Sequence, residues 1–210
     1  MADLKDLTVE RFAEITASDA PAPGGGSVSA MAASIGAALA EMVANLTVGK
    51  AKYADVEGEM KALSAEAAVL RKELILAIQK DTESFNLYMD ALSMPKDTDE
   101  QKAARKEAMQ NGLKEAAKVP LSVAETAIRI FPIAEAVVAR GNSNAVTDGL
   151  VGTMMTRTGI LGALLNVKIN LGSIKDEAFV SDMTEKVKEL EEQTVAWERK
   201  ILENSGIIQL

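Results

Sequence analysis

Apolar residues recur along this chain at intervals of three and four, and no stretch keeps the period of two that a half-buried strand requires. The pattern predicts helices alone. A short one covers 8–18, an apolar one 27–48 and a long one 56–92, which at about 1.5 Å per residue would extend on the order of 50 Å. A fourth covers 98–118, opened by Thr98 with Gln101 three residues on, the spacing of a capping box. Pro120 suits the first turn of a fifth, and Pro132 kinks or breaks that helix by removing a backbone donor. A glycine-dotted helix reaches 171, and a charged one covers 176–204. The loops are 20–26 (APAPGGG), 49–55, 93–98 and 140–149 (RGNSNAVTDG). Seven or so helices with short connections predict an all-α, multi-helix up-down bundle with long central helices, and 1–210 reads as a single domain.

The segment 27–48 is long enough to cross a membrane and carries one charge, Glu41. It is built from Ala, Gly and Ser, so it reads better as a buried central helix or a subunit interface, with no membrane partner. Composition narrows the chemistry. There is no His and no Cys, which excludes a disulfide framework, a thiolate nucleophile, an imidazole base and a His- or Cys-ligated metal. Proton transfer then falls to Asp, Glu, Lys or Tyr. A net charge of −8 and 3% aromatics argue against nucleic acid. The first residues lack the basic start and apolar stretch of a signal peptide, which points to the cytoplasm.

Five constellations remain. Pro23, Gly24, Gly25, Gly26 and Ser27 lead into a helix, either as a row of N–H donors for an anion or carbonyl-rich ring, or as a turn with Ser27 as N-cap. Ser27, Ser34, Glu41 and Asn45 share one helical face, so Glu41 and Asn45 line a pocket, or Glu41 pairs with a cation at a subunit interface. Lys50, Lys52 and Tyr53 follow that helix, where lysines complement its dipole or meet an anionic ligand. Asp81 sits among Leu74, Ile78 and Phe85; spacing alone favours a surface Asp paired with Lys72 or Lys80 over a desolvated acid–base group. Asn142, Asn144 and Asp148 cap the next helix or face a polar ring, and Asn166 and Asn170, one turn apart on it, extend the set.

Taken in order, these motifs resemble the cyclodeaminase/cyclohydrolase family of folate one-carbon enzymes. That family holds the cyclodeaminase domain of formiminotransferase-cyclodeaminase and single-domain methenyltetrahydrofolate cyclohydrolases. The likeness runs from about Leu7 to about Leu202. It is carried by Pro23–Ser27, Asn45-Leu46-Thr47 with Gly49, Lys50, Lys52 and Tyr53, Asp81 with Phe85, Pro95-Lys96 with Thr98, Lys102 and Arg105, Val119-Pro120-Leu121, Gly141-Asn142 with Asp148, and Asn166 with Asn170. Thr147 stands where the family usually has Ser. The resemblance implies a homodimer and a tetrahydrofolate substrate, polyglutamylated or not, with no permanently bound cofactor and no metal. It implies that Asp81 and Asp148 share acid–base duty with Lys50 as electrostatic partner. Pro23, Gly24, Gly25, Gly26, Ser27, Glu41, Asn45, Tyr53, Asn142, Asn166 and Asn170 then hold substrate. Lys96, Lys102 and Arg105 read as a solvated helix face before a glutamate-tail patch. The expected activity is formiminotetrahydrofolate cyclodeaminase, suggested by the local wording at 124–126 and 165–171. The alternative is 5,10-methenyltetrahydrofolate cyclohydrolase, suggested by the single-domain length. A non-catalytic folate-binding module and a purely structural dimer are the readings from other classes.

Overall fold

A computed structural model describes residues 3–208, which contain seven α-helices, three short 3-10 turns and no strand. The helices are α1 (Val9–Thr16), α2 (Gly25–Thr47), α3 (Glu57–Leu92), α4 (Asp99–Ala127), α5 (Ile130–Arg140), α6 (Val146–Leu171) and α7 (Glu177–Asn204). The predicted all-α bundle with long central helices is what forms.

The apolar segment becomes the central helix α2, with α3 and α6 antiparallel along its sides. On the α3 side Asp81 meets Gly26, Arg71 meets Glu41 and Ser64 meets Asn45. On the α6 side Asn166 meets Gly25, Gly159 meets Ala33 and Thr156 meets Gly36. Small residues permit this approach: a Cβ at Gly159 would fall 2.6 Å from that of Ala33, and one at Gly36 would fall 2.3 Å from Thr156 Oγ1. Ala30, Ala33, Ala37, Ala40 and Ala44 of α2 are buried against Leu70, Leu74 and Ile78 of α3 and Ile160, Ala163 and Leu164 of α6. Helices this close gain dispersion contacts over their whole length. Both α2 and the segment Ser143–Leu171 are long and apolar enough to cross a membrane, and about half or more of each is buried within the bundle.

Three predicted boundaries change. First, α2 starts at Gly25 with Gly24 as its cap, so Ser27 lies inside the first turn and is no N-cap. Gly25 and Gly26 take helical geometry, and at Gly26 only glycine fits against Asp81, as described below. Second, no helix ends at 118 and none begins at Pro120, because α4 runs unbroken through that proline. The Ala116 carbonyl, which Pro120 leaves without its helical donor, accepts instead from Asn170 Nδ2 at 2.9 Å. Third, the break falls at Ile128–Arg129. Pro132 thereby sits in the first turn of α5, where its missing N–H costs nothing. The capping box of Thr98 and Gln101 forms as predicted, and Asp176 caps α7 through Phe179 N–H.

Candidate active site

The stripe Ala67, Leu70, Leu74 and Ile78 buries α3 against α2, and Asp81 is the next position on it. A carboxyl is therefore carried to the edge of the core, below the start of α2. The Ser27 hydroxyl donates to Asp81 Oδ2 at 3.0 Å and lies 2.9 Å from the Ile78 carbonyl. Burial pushes the Asp81 carboxyl above the ordinary Asp range, and the hydroxyl and backbone N–H of Ser27 pull it partly back. Among the described residues no lysine pairs with it, so of the two sequence readings the desolvated one holds. Gly26 packs on the carboxylate so closely that a Cβ there would fall 2.0 Å from Oδ1.

Around this group opens a cleft of about 310 Å³. Gly24, Gly25 and Gly26 form one wall, Asp81, Thr82, Ser84 and Phe85 of α3 another, and Asn166, Ile169 and Asn170 of α6 a third, with Ala116 of α4 and Pro21 and Ala22 of the entering loop. Among these lining residues Asp81 is the one titratable side chain. Pro23, joined to Ala22 by a cis peptide bond, is buried behind the loop, and Ser27 is fully buried against Asp81. Ser27 thus orients the carboxyl through its hydroxyl. The sequence reading did not single out Pro21, Ala22, Thr82, Ser84, Ala116 or Ile169. Ile169 stands out only in the folded chain, as an apolar residue that is 75% exposed.

The remaining predicted residues gather elsewhere. The helical rise of α2 separates its two ends by about 33 Å, and Asn45, Lys50 and Tyr53 belong to the far one. Asp148, half-buried in the first turn of α6, and Asn142 lie there too. Asn142 ties the loop to the end of α2: its N–H donates to Thr47 Oγ1 (2.8 Å) and its Nδ2 to the Leu46 carbonyl (3.1 Å). The Tyr53 hydroxyl accepts from Ser143 N–H at 3.0 Å. Ser143 and then Lys52 draw the Tyr53 pKa down to about 8. The Asn45 amide oxygen accepts from Ser64. Glu41, midway, pairs with Arg71 of α3 at 2.7 Å, so its partner is within the chain and it lines neither cluster. One chain therefore brings Asp81, the glycines, Asn166 and Asn170 together, and leaves Lys50, Tyr53, Asn142 and Asp148 at the opposite end.

Lys96, Lys102, Arg105, Lys106 and Lys175 line a second recess of about 430 Å³. Lys102 is paired with Asp99, and Arg105 donates to the Leu92 carbonyl. No cluster of three or more Asp or Glu able to hold a metal occurs among the described residues.

Residues 8–189 match the family model described as formiminotransferase-cyclodeaminase. A methenyltetrahydrofolate cyclohydrolase of Methylorubrum extorquens is 41% identical over 184 residues, which cover 88% of this chain and 87% of that protein. A formimidoyltransferase-cyclodeaminase of Sus scrofa is 35% identical over 85% of this chain, which spans only 33% of that longer protein. The crystal structure of a formiminotetrahydrofolate cyclodeaminase from Thermotoga maritima superposes with a TM-score of 0.84 at 33% identity, over 96% of this chain and 98% of that one.

Proposed function

We propose that this chain, which belongs to the formiminotransferase-cyclodeaminase family, is an enzyme that moves protons at the one-carbon bridge between N5 and N10 of tetrahydrofolate. The carrying observation is Asp81, a partly desolvated carboxyl alone among polar neutral groups in the cleft. A carboxyl whose pKa is raised by burial is suited to take a proton from the nucleophile and return it to the leaving nitrogen. In hydrolysis, water adds to the methenyl carbon, its proton passes to Asp81, and the C–N5 bond breaks as N5 is protonated. The product is 10-formyltetrahydrofolate. This direction is favoured by the 41% identical cyclohydrolase, which the chain covers over most of its length. The second reading is cyclodeamination: N10 attacks the formimino carbon and ammonia leaves, giving 5,10-methenyltetrahydrofolate. The solved cyclodeaminase, a chain of matching extent, favours it.

Asp148 and Lys50 enter through a second copy of the chain. Ile35 and Leu46 on α2 and Val151, Met154, Leu165 and Ile169 on α6 are exposed along one face of two packed helices. An apolar face of this extent calls for a partner. A two-fold axis near Ile35, at the middle of α2, would set α2 antiparallel to its mate. The Asp81 end of one copy then meets the Lys50–Asp148 end of the other. We assign the substrate's glutamate tail to the recess of lysines. Met109 of that recess and Ala116 of the cleft are seven residues apart on α4, about 10 Å. A cytoplasmic location and a substrate with no resident cofactor belong to the same proposal.

The test follows the absorbance of methenyltetrahydrofolate. Accelerated loss indicates the hydrolase; its formation from formiminotetrahydrofolate with ammonia release indicates the deaminase. Binding without turnover leaves a folate-binding module, and no binding of either folate ends the folate reading.

A further inference from the structure

Asn170 has a task set by a residue on another helix. Pro120 has no N–H, so the Ala116 carbonyl lacks a donor within α4. Asn170 Nδ2 supplies it at 2.9 Å and also donates to the Asn166 carbonyl at 2.8 Å. Both N–H bonds of the amide are spent on backbone, which fixes its orientation: turned over, Oδ1 would face two carbonyl oxygens. Asn166 is turned the same way by its Nδ2, which donates to the Gly162 carbonyl at 2.9 Å. Both residues line the cleft, and among the described residues no donor reaches either Oδ1. Neither oxygen is sealed from solvent.

We infer that Asn166 and Asn170 act in this cleft as acceptors, two amide oxygens held to read adjacent N–H donors on the edge of a ligand ring. The inference rests on the folate reading and deepens it. The edge of a pterin that offers two neighbouring donors is its ring N3–H with the exocyclic 2-amino group. In this reading the exocyclic amine pairs with Asn170 and the ring N3–H with Asn166; both are specificity residues, and Pro120 is what keeps the Asn170 amide from turning. A lactam without the amine would leave one fixed oxygen unpaired, which such sites reject strongly.

Calorimetric titration compares 5-formyltetrahydrofolate with its analogue lacking the 2-amino group. Wild-type protein is expected to bind the first at least about tenfold more tightly. Asn170→Leu is expected to bring the two affinities to within about twofold of each other. That variant also orphans the Ala116 carbonyl and so loses stability. Combining it with Pro120→Ala restores a backbone N–H at position 120. The pair N170L/P120A should regain thermal stability while still failing to discriminate, which separates the scaffold role from the specificity role. Equal affinity of wild type for the two ligands overturns the inference, as does discrimination retained in the double variant. Binding of neither ligand by wild type removes the folate reading itself.

Discussion

Asp81 is one of 31 acidic residues, and its distinction is physical: it follows Ile78 on a buried stripe, and no cation among the described residues pairs with it. The sign of its effect on stability follows. Burial raises its folded pKa above the unfolded value, so between the two values the folded state binds more protons. Stability therefore falls as pH rises through that window, and the cost is fully present above the folded pKa. Asp81→Asn removes the ionised form. It is expected to cut turnover roughly a hundredfold or more if Asp81 carries the proton. Its Tm at neutral pH should equal or exceed wild type, with the gain vanishing at pH values below the ordinary Asp pKa. A variant that keeps its activity takes the role away from Asp81, and one that loses stability at pH 7 contradicts the desolvation argument. Gly26→Ala acts on the same carboxyl at Oδ1. Its Cβ would require the carboxylate to move, so kcat should fall sharply with the fold retained by circular dichroism.

At the scale of elements, two helices carry information their own sequences conceal. α4 reads as two helices meeting at Pro120, because a proline in a helix interior costs about 3 kcal/mol when judged alone. The cost is offset by an asparagine on α6, fifty residues away in sequence, and periodicity within a window has no access to it. α2 likewise reads as starting at Ser27, since Ser is a good N-cap and three glycines are not helix formers. It starts two residues earlier because only glycine fits over Asp81. Where an element's boundary is locally determined, the reading is accurate: Thr98 and Gln101 form the capping box at the start of α4. Thr98→Ala should lower the unfolding free energy by about 1 kcal/mol in urea denaturation, with an unchanged slope. That helix start also carries Lys102 and Arg105, so the same variant is expected to raise KM for a polyglutamylated folate more than for a monoglutamate.

At the scale of the whole molecule, the decisive feature is the length of α2, which keeps Asp81 about 33 Å from Lys50 and Asp148. If a second copy completes the site, Asp81→Asn and Asp148→Asn are each inactive alone and complement one another when mixed. In a fully exchanged mixture half of the dimers are mixed and each has one intact site, so about a quarter of wild-type activity returns. No recovery after verified exchange would mean that one chain suffices. If that copy docks through the exposed apolar face, replacing Ile35 or Leu165 with Glu should prevent self-association in sedimentation and abolish turnover together with it. Composition and periodicity alone determined that the protein is a helical bundle and that its proton chemistry must run without His or Cys, because both follow from side-chain identity and local spacing. The order of the motifs along the chain determined the family. Tertiary structure decided which candidates meet. The pKa of Asp81, the orientation of Asn170 and the separation of the two clusters all depend on what lies across a helix interface, and burial and distance are properties of the packed chain.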